Sequence, residues 1–312
     1  MSKSFTAFAP ATVANVASGF DILGFAIEGV GDEVTVSNDI QSGVVIEAIE
    51  GLSLPSSIAL DPKQNTAGVP LLKMLEVAKP GFGFKVRIKK GIPLGSGMGG
   101  SAASAVGAVV AANAVLGNPF NKEQLLEFAL EGEAVASGSK HADNIAPCLY
   151  GGLTLSKPGD HPDVVTLPVP ENLFCVLVHP DLELKTKEAR AVLKKEISMK
   201  LHSEQSAYLA ALIAGFCQSD MKLIARGLQD VVVEPARAPL IPGFHAVKKA
   251  ALEAGALGCS ISGAGPSVFA FTDDEAKAQE MKTAMQNAFQ SAGNLPSQAW
   301  ISRISKTGAQ AR

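Results

Sequence analysis

The chain has 312 residues, a length that predicts about two domains. Lys and Arg number 27 against 30 Asp and Glu, and the formal net charge of −3 leaves no basic excess for binding a nucleic-acid backbone, so we expect no nucleic-acid partner. Hydrophobic residues make up 47% of the chain and charged residues 18%, which favours a folded globular protein over a disordered one.

The N-terminal segment and the cysteines predict a cytoplasmic protein with no membrane partner. The first 20 residues contain one lysine and no sustained apolar run, so no secretory signal is expected. Residues 91–121 carry no charge, but the first third is rich in glycine and proline, which favours a buried helix over a membrane span. Four cysteines without a C-x-x-C pair predict free thiols in a reducing compartment: Cys148, Cys175, Cys217 and Cys259.

Hydrophobic periodicity predicts a mixed first half. Short strands are expected over 5–9, 22–28, 32–37, 43–49, 82–89 and 151–156. Helices are expected over 65–79, 101–116 and 141–150, with a further helix that ends near 135 and has Asn121 as its N-cap.

The second half predicts the order β-α-β-β-α-β, which is the split βαβ or ferredoxin-like arrangement. Its strands are expected over 173–178, 257–261, 267–272 and 297–304, and its two helices over 204–218 and 274–292. Additional helices near 185–193 and 221–229 would be insertions in the first crossover. Four prolines between 157 and 170 predict the domain boundary there, giving domains 1–165 and 166–312.

The strongest local motif is PLGSGMGGSAAS, residues 93–104, between a predicted strand and a predicted helix. Consecutive glycines allow backbone N–H groups to turn toward an anion, and the helix that follows presents further unpaired N–H groups. The pattern predicts a phosphate-binding loop that contains no lysine. A tight turn that packs a helix of small residues is the alternative that the motif alone leaves open.

Other phosphate-binding motifs fit this segment less well. Residues 95–100 match G-x-G-x-x-G, but a dinucleotide-binding fold needs a second parallel strand after the helix, and here another helix is predicted. The Walker A loop needs G-K-[ST], and the protein-kinase motifs V-A-I-K, H-R-D and D-F-G do not occur in the sequence.

The same segment resembles the loop P-x-x-x-G-L-G-S-S-A-A of the GHMP kinases, the superfamily of galactokinases, homoserine kinases, mevalonate kinases and phosphomevalonate kinases. SGAGPS (262–267) resembles its C-terminal motif. PATVANVASGFD (10–21), EGEAVASGSKHADNIAP (131–147) and VEPARAPLIPGF (233–244) resemble segments of the homoserine kinase family. The resemblance implies an α+β GHMP kinase fold, with an N-terminal ribosomal-S5-like domain and a C-terminal ferredoxin-like domain.

The resemblance also implies ATP and Mg²⁺ as cofactors. The implied nucleotide contacts are Asn65, where a helix N-cap is an equally good interpretation, and the loop residues Pro93, Leu94, Gly95, Ser96, Gly97, Met98, Gly99, Gly100, Ser101, Ala102 and Ala103. The implied metal contacts are Ser101 and Glu133. Gly100 departs from the usual pair of serines, so one hydroxyl is missing.

Homoserine has a carboxylate, an ammonium group and a hydroxyl, and the resemblance assigns residues to each. Arg190 and Arg237 are the implied carboxylate contacts, since arginine binds carboxylates with two donors. Asp21 and Asp143 would meet the ammonium group, with Asn15 and His141 as further contacts. Taken singly, Arg190 is also consistent with a helix-face charge and His141 with loop packing.

The implied catalytic residues are Asn144, Thr186 and Arg190. Because an amide cannot accept a proton with a useful pKa, Asn144 predicts catalysis by positioning and charge stabilisation.

The resemblance therefore implies a homodimeric enzyme that phosphorylates L-homoserine to O-phospho-L-homoserine, a step toward threonine. A mevalonate-type kinase, a non-catalytic nucleotide-binding protein on the same fold and a dinucleotide oxidoreductase are the alternatives. The charged residues expected for an amino-acid substrate argue against the first, Ser101 and Glu133 against the second, and the missing second strand against the third.

Overall fold

The computed structural model describes residues 3–51, 58–159 and 163–312. Seven strands form the first sheet, in which β3 and β4 are parallel and the other pairs are antiparallel. Its strands are β1 Ser4–Ala14, β2 Leu23–Ile40, β3 Val44–Gly51, β4 Gly83–Lys90, β5 Leu153–Ser156, β6 Val164–Leu167 and β11 Gln310–Ala311.

The long strand β2 replaces two predicted short strands, 22–28 and 32–37. The register against β1 moves from Pro10 opposite Gly31 to Thr12 opposite Ala26, so a bulge lies where a turn between the two predicted strands was expected. Gly29 lies in this bulge with a φ of +77°, a conformation that glycine adopts without strain. The glycine that indicated a turn between strands instead permits a bulge within one strand.

Helices cover one face of this sheet: α1 Gly68–Ala78, α2 Gly100–Leu116, α3 Lys122–Ser137 and α4 Ala142–Tyr150. Helix α2 is buried over most of its length, and its small residues allow close approach to the sheet, since a Cβ on Gly107 would lie 2.8 Å from Val34 Cγ2. Asn121 caps α3 in a reciprocal pair with Gln124, as predicted. Among the described residues, no helix combines the length and apolar character that crossing a bilayer would need.

The second sheet has the strand order β10-β7-β9-β8, with every pair antiparallel. Its strands are β7 Phe174–Pro180, β8 Gly258–Ile261, β9 Val268–Thr272 and β10 Ser297–Arg303. Numbered within this half of the chain, the order is 4-1-3-2, so the predicted split βαβ arrangement is confirmed.

The first crossover helix of this half differs from the prediction. The helices are α5 Thr186–Ala191, α6 Met199–Gln218, α7 Met221–Gly227, α8 Glu234–Arg237, α9 Phe244–Glu253 and α10 Glu275–Ala288, with a 3₁₀ turn over Ala238–Leu240 and a π turn over Phe289–Gly293. Helix α9, which the sequence analysis missed, packs with α10 on the face that includes Val176. Helix α6, expected over 204–218 as the crossover helix, instead packs with the core on the opposite face, which includes Leu177. Burial on both faces explains why residues 174–178 of β7 are all apolar rather than alternating.

The expected boundary over 157–170 contains strand β6, which pairs with β5 in the first sheet. The chain therefore leaves that sheet after Leu167, and β11 later returns to pair with β1. The division into 1–165 and 166–312 stays a prediction.

Candidate active site

A cleft of about 540 Å³ lies where the glycine-rich loop, the start of α4, helix α5 and the turn between β8 and β9 meet. Eighteen of the site residues expected from the sequence line it: Asn15, Asp21, Asn65, Pro93, Leu94, Gly95, Ser96, Gly97, Gly99, Gly100, Ser101, Glu133, His141, Asp143, Asn144, Thr186, Arg190 and Arg237. Residues from positions 15 to 237 of the chain therefore converge on one cavity.

Three of the expected nucleotide contacts do not line the cleft. The side chains of Met98, Ala102 and Ala103 are fully buried in the core. The N–H of Ala103 donates to the carbonyl of Gly99 at 2.8 Å and is therefore used within the helix. These three side chains pack in the core beneath the loop and do not face the cavity.

The glycine-rich loop depends on positive φ angles at Gly95, Gly97 and Gly99, which are +59°, +75° and +70°. A Cβ on Gly97 would lie 2.4 Å from the carbonyl oxygen of Ser262, whose hydroxyl donates to Gly97 O at 2.7 Å. A Cβ on Gly99 would lie 2.1 Å from Thr12 Oγ1. The loop is thus held between the first strand and the SGAGPS turn.

Helix α2 begins at Gly100 and its N-cap, Gly99, offers no side-chain hydrogen bond. Its first N–H groups, together with the positive end of the helix dipole, are therefore available at the cleft. Ser96 lies in the same loop with a nearly fully buried side chain, and among the described residues its Oγ has no hydrogen-bond partner. An anion in the cleft would therefore have two kinds of hydrogen-bond donor beside it, the first N–H groups of α2 and the hydroxyl of Ser96.

A buried lysine lies beneath this loop, although the sequence analysis expected the loop to act without one. Lys90 Nζ donates to Gly100 O at 2.7 Å and to Ser104 Oγ at 2.9 Å, and forms an ion pair with Asp32. The other oxygen of Asp32 accepts the N–H groups of Gly91 and Ile92 at 3.0 and 3.2 Å. The pair joins β2, β4 and the first turn of α2, and thereby fixes the loop.

Ser101 and Glu133 lie together at the start of α2, where Ser101 Oγ donates to Glu133 Oε2 at 3.1 Å. A hydroxyl and a carboxylate are oxygen ligands of the type that Mg²⁺ prefers, with phosphate and water oxygens completing its coordination. No cluster of three or more His, Cys, Asp or Glu suited to a metal occurs in the part of the chain that the structure describes. The pair therefore fits an ion that is held jointly with a phosphate ligand.

At the far end of the cleft, Arg190 makes a two-pronged ion pair with Asp21. Its terminal nitrogens lie 2.9 and 3.1 Å from the two carboxylate oxygens. His141 Nδ1 lies 3.7 Å from the same carboxylate. Thr186 and Arg190 are four residues apart on α5, so both project from one face of that helix. The structure thus pairs Asp21 with Arg190, two residues that the sequence analysis assigned to opposite ends of the substrate.

The guanidinium group of Arg237 is held by two backbone carbonyls. Its Nε donates to Ala189 O at 3.1 Å, and its Nη1 donates at 2.9 Å to Gly263 O, which also accepts from Asn15 Nδ2 at 2.7 Å. The ring of Phe20 lies 5.3 Å from the guanidinium carbon of each arginine. Both arginines therefore lie within cation–π distance of one aromatic ring.

Backbone strain is concentrated in the segment that carries Asn15 and Asp21. Four non-glycine residues here have positive φ: Asn15, Val16, Ala17 and Asp21 at 69°, 29°, 55° and 57°. Such conformations cost free energy and persist where surrounding contacts hold them, commonly at functional sites. Asn15 Oδ1 accepts the N–H of Asp21 at 3.0 Å and so closes this turn.

Burial shifts the ionisation of the groups around this end. The pKa of Asp143 rises to about 7, because burial and the nearby Asp21 disfavour its charged form more than Arg190 favours it. Burial also lowers the pKa of His141, although Asp21 opposes the change. Burial and the neighbouring Arg190 lower the pKa of Arg237 to about 10. The carboxyl of Asp143 therefore changes charge near neutral pH.

Asn144 follows Asp143 in the first turn of α4. Its Oδ1 accepts a hydrogen bond from Thr12 Oγ1 at 2.7 Å. With that oxygen occupied, the amide N–H group is the part of the side chain that is available to a ligand. The geometry supports a donor role and agrees with the expectation that this residue is not a base.

The opposite end of the cleft is apolar, with Ile49, Ile58 and Ile88 in its wall. Asn65 borders this end, but both of its amide atoms are used: Nδ2 donates to Ala59 O at 2.8 Å and Oδ1 accepts from Ala67 N at 2.9 Å. It is not the N-cap of α1, which is Ala67. Asn65 instead orders the turn that leads into the helix.

The sequence analysis missed several cleft residues: Ile49, Ile58, Thr66, Ile88, Lys90, Ser104, Glu183, Leu184, Lys185, Lys187, Gly263 and Ala264. One signal could have identified Lys90. Lys90 continues the inward-facing series Phe84, Val86 and Ile88 on β4, so its side chain is expected to be buried. A buried charge needs an ion-pair or hydrogen-bond partner.

Family models match both halves of the chain. The model for the GHMP kinases N terminal domain matches residues 68–152, and the model for the GHMP kinases C terminal region matches residues 212–291.

Curated relatives and solved structures match over nearly the full length. The chain is 47% identical to a homoserine kinase of Chloroherpeton thalassium over 99% of both chains, and 50% identical to one of Xylella fastidiosa over 97% of this chain and 92% of that protein. A crystal structure of homoserine kinase from Cytophaga hutchinsonii is 46% identical, with a TM-score of 0.95, covering 99% of this chain and 97% of that one. A mevalonate kinase structure from L. major has a TM-score of 0.71 at 13% identity, covering 95% of each chain, and shares the fold alone.

Proposed function

The chain belongs to the homoserine kinase family of the GHMP kinases, and we propose that its cleft binds ATP at the apolar end and L-homoserine at the charged end. As a member of that family, it is an ATP-dependent kinase that phosphorylates L-homoserine to O-phospho-L-homoserine, a step toward threonine. The main support for this proposal is that one cavity has the glycine-rich loop in its wall and the Asp21–Arg190 pair at one end.

The nucleotide site follows from the chemistry of the wall. The isoleucines offer an apolar surface to the adenine ring, while the loop and the start of α2 offer N–H groups to the phosphates. Ser101 and Glu133 are the residues that would hold Mg²⁺, which supplies charge neutralisation for the transferring phosphoryl group when it is bound.

The homoserine site uses charges that already lie in the cleft. Arg237 lies there with its guanidinium held by backbone carbonyls, so it keeps a positive charge for the substrate carboxylate. Asp21 and Asp143 supply negative charge for the ammonium group, with Asn15 and His141 beside them. The Arg190–Asp21 pair orients the aspartate and limits its repulsion with Asp143.

In the transfer itself, the side-chain hydroxyl oxygen of homoserine forms a bond to the γ-phosphorus. The bond between that phosphorus and the bridging oxygen breaks, and ADP leaves with the electron pair. The hydroxyl proton passes to a phosphate oxygen or to water. Asn144 and Thr186 would position the hydroxyl and the γ-phosphate, consistent with the amide donor geometry described above.

A mevalonate-type acceptor fits this cleft less well. Mevalonate has no ammonium group, so the two aspartates at the charged end would remain without a cation from the substrate. The mevalonate kinase neighbour shares the fold at 13% identity and does not bear on the substrate.

We propose a homodimer on the family resemblance, which sedimentation analysis would test. A cytoplasmic location is consistent with four free thiols: Cys148, Cys175, Cys217 and Cys259.

The deciding experiment measures ATP consumption with Mg²⁺ against homoserine, mevalonate, galactose and buffer. We expect turnover with homoserine alone. Asp21→Asn should raise the KM for homoserine with little change in the KM for ATP. Folded protein that consumes ATP with none of the acceptors would contradict the proposed function.

A further inference from the structure

The transferring γ-phosphoryl group carries negative charge on three oxygens, and kinases stabilise that charge with cations able to reach it. Five lysines and arginines line the cleft among the described residues. They differ in whether their positive charge already has a partner, and this difference identifies candidates for the γ-phosphate.

Three of the five are committed within the protein. Lys90 is paired with Asp32 and donates to two further oxygens. Arg190 gives both terminal nitrogens to Asp21. Arg237 is nearly fully buried, is fixed by two backbone carbonyls, and is the residue proposed above for the substrate carboxylate. None of them is free to follow a phosphate group as it moves.

The other two, Lys185 and Lys187, are exposed on the segment that begins α5. In the part of the chain that the structure describes, neither ammonium group has a hydrogen bond or an ion pair, and both side chains line the cleft. The segment is attached to the phosphate loop, because the N–H of Leu184 donates to Gly95 O at 3.0 Å. Thr186, an expected catalytic residue, lies between the two lysines.

We propose that Lys185 and Lys187 bind the γ-phosphate of ATP and stabilise its charge during transfer. The proposal rests on the kinase function given above. Long, unpaired and exposed lysines suit this role, because they can approach the phosphate when ATP binds and withdraw when the product leaves. The glycine-rich loop contains no lysine, and these two lysines reach the cleft from the other half of the chain.

The test compares the double variant Lys185→Ala/Lys187→Ala with a matched control, Lys194→Ala/Lys195→Ala. The control removes two exposed lysines a few residues further along, outside the cleft lining. Affinities for ATP and ADP are measured without an acceptor, and kcat and KM are measured with homoserine. Thermal unfolding checks that all variants are folded.

We expect the cleft variant to lose about tenfold or more in kcat/KM for ATP, less than the roughly 10²–10³ typical of a buried donor because these lysines are exposed. ATP affinity should fall while ADP affinity stays within about twofold, since ADP lacks the γ-phosphate. The variant Lys185→Arg/Lys187→Arg should restore most of the loss because arginine keeps the charge. The control should match the wild type.

Equal losses of ATP and ADP affinity, or a cleft variant indistinguishable from the control in both binding and turnover, would overturn the proposal. The binding measurements need no acceptor, so they decide the role of the lysines even if homoserine is not the substrate. Failure of the wild-type protein to phosphorylate homoserine would instead contradict the proposed function.

Discussion

The pH dependence of homoserine capture should report the ionisation of Asp143. Its pKa is raised to about 7 by burial and by Asp21, and only the ionised form attracts an ammonium group. With a pKa near 7, about nine-tenths of the carboxyl is ionised at pH 8 and about one-tenth at pH 6. We therefore expect kcat/KM for homoserine to fall about tenfold between pH 8 and pH 6.

The assay is a set of initial rates at saturating ATP from pH 5.5 to 8.5. Since kcat/KM follows the free enzyme, its inflection should lie near the raised pKa of Asp143, whereas the bound ammonium group should make kcat less sensitive to pH. Asp143→Asn should lower kcat/KM and remove this inflection. His141 has a lowered pKa and should contribute only at more acidic pH, which His141→Gln tests.

Two outcomes would refute this reasoning. If the wild-type profile is flat across pH 6–8, no change in the charge of Asp143 in this range affects homoserine capture. If Asp143→Asn keeps the inflection near pH 7, another group, ATP included, is responsible.

Three further predictions concern the loop, its support and the charged end. Gly97→Ala and Gly43→Ala replace two glycines with nearly equal φ, +75° and +74°, but only a Cβ at position 97 would contact neighbouring atoms. Gly97→Ala alone should therefore raise the KM for ATP, by about tenfold or more. Equal effects of the two variants would assign the loss to backbone strain. Lys90→Met should lower the free energy of unfolding by about 3–5 kcal/mol in urea titrations, against less than about 1 kcal/mol for the exposed Lys89→Met. Arg190→Lys should raise the KM for homoserine more than the KM for ATP, because lysine cannot form the two-pronged pair; an effect confined to ATP would contradict this.

Local patterns predicted most elements, whereas the family resemblance predicted eighteen of the residues that line the cleft. Alternation identified β4, the capping residues located α3, and the spacing of strands and helices in the second half predicted its split βαβ topology. The glycine-rich loop was recognisable because positive φ angles and close backbone contacts admit few residues other than glycine. Each of these properties is set by neighbours close in the chain.

The missed features depend on neighbours that are far apart in the chain. Helix α9 is an exception, because its buried residues Phe244, Val247 and Ala251 follow helical spacing, a signal that was present in the sequence. Strand β2 was divided at Gly29 because a bulge and a turn share the same glycine signal.

The sequence by itself determined most element types, the glycine-rich loop and the family of this protein, since all three follow from local conformation and motif order. The tertiary structure alone decided how the charges pair: Asp32 with Lys90 across 58 residues, and Asp21 with Arg190 across 169. The physical reason is that a charge takes its partner from whatever folding brings within a few ångströms of it, which no local pattern specifies. For the same reason, the two lysines left without partners could be identified only after the chain had folded around the cleft.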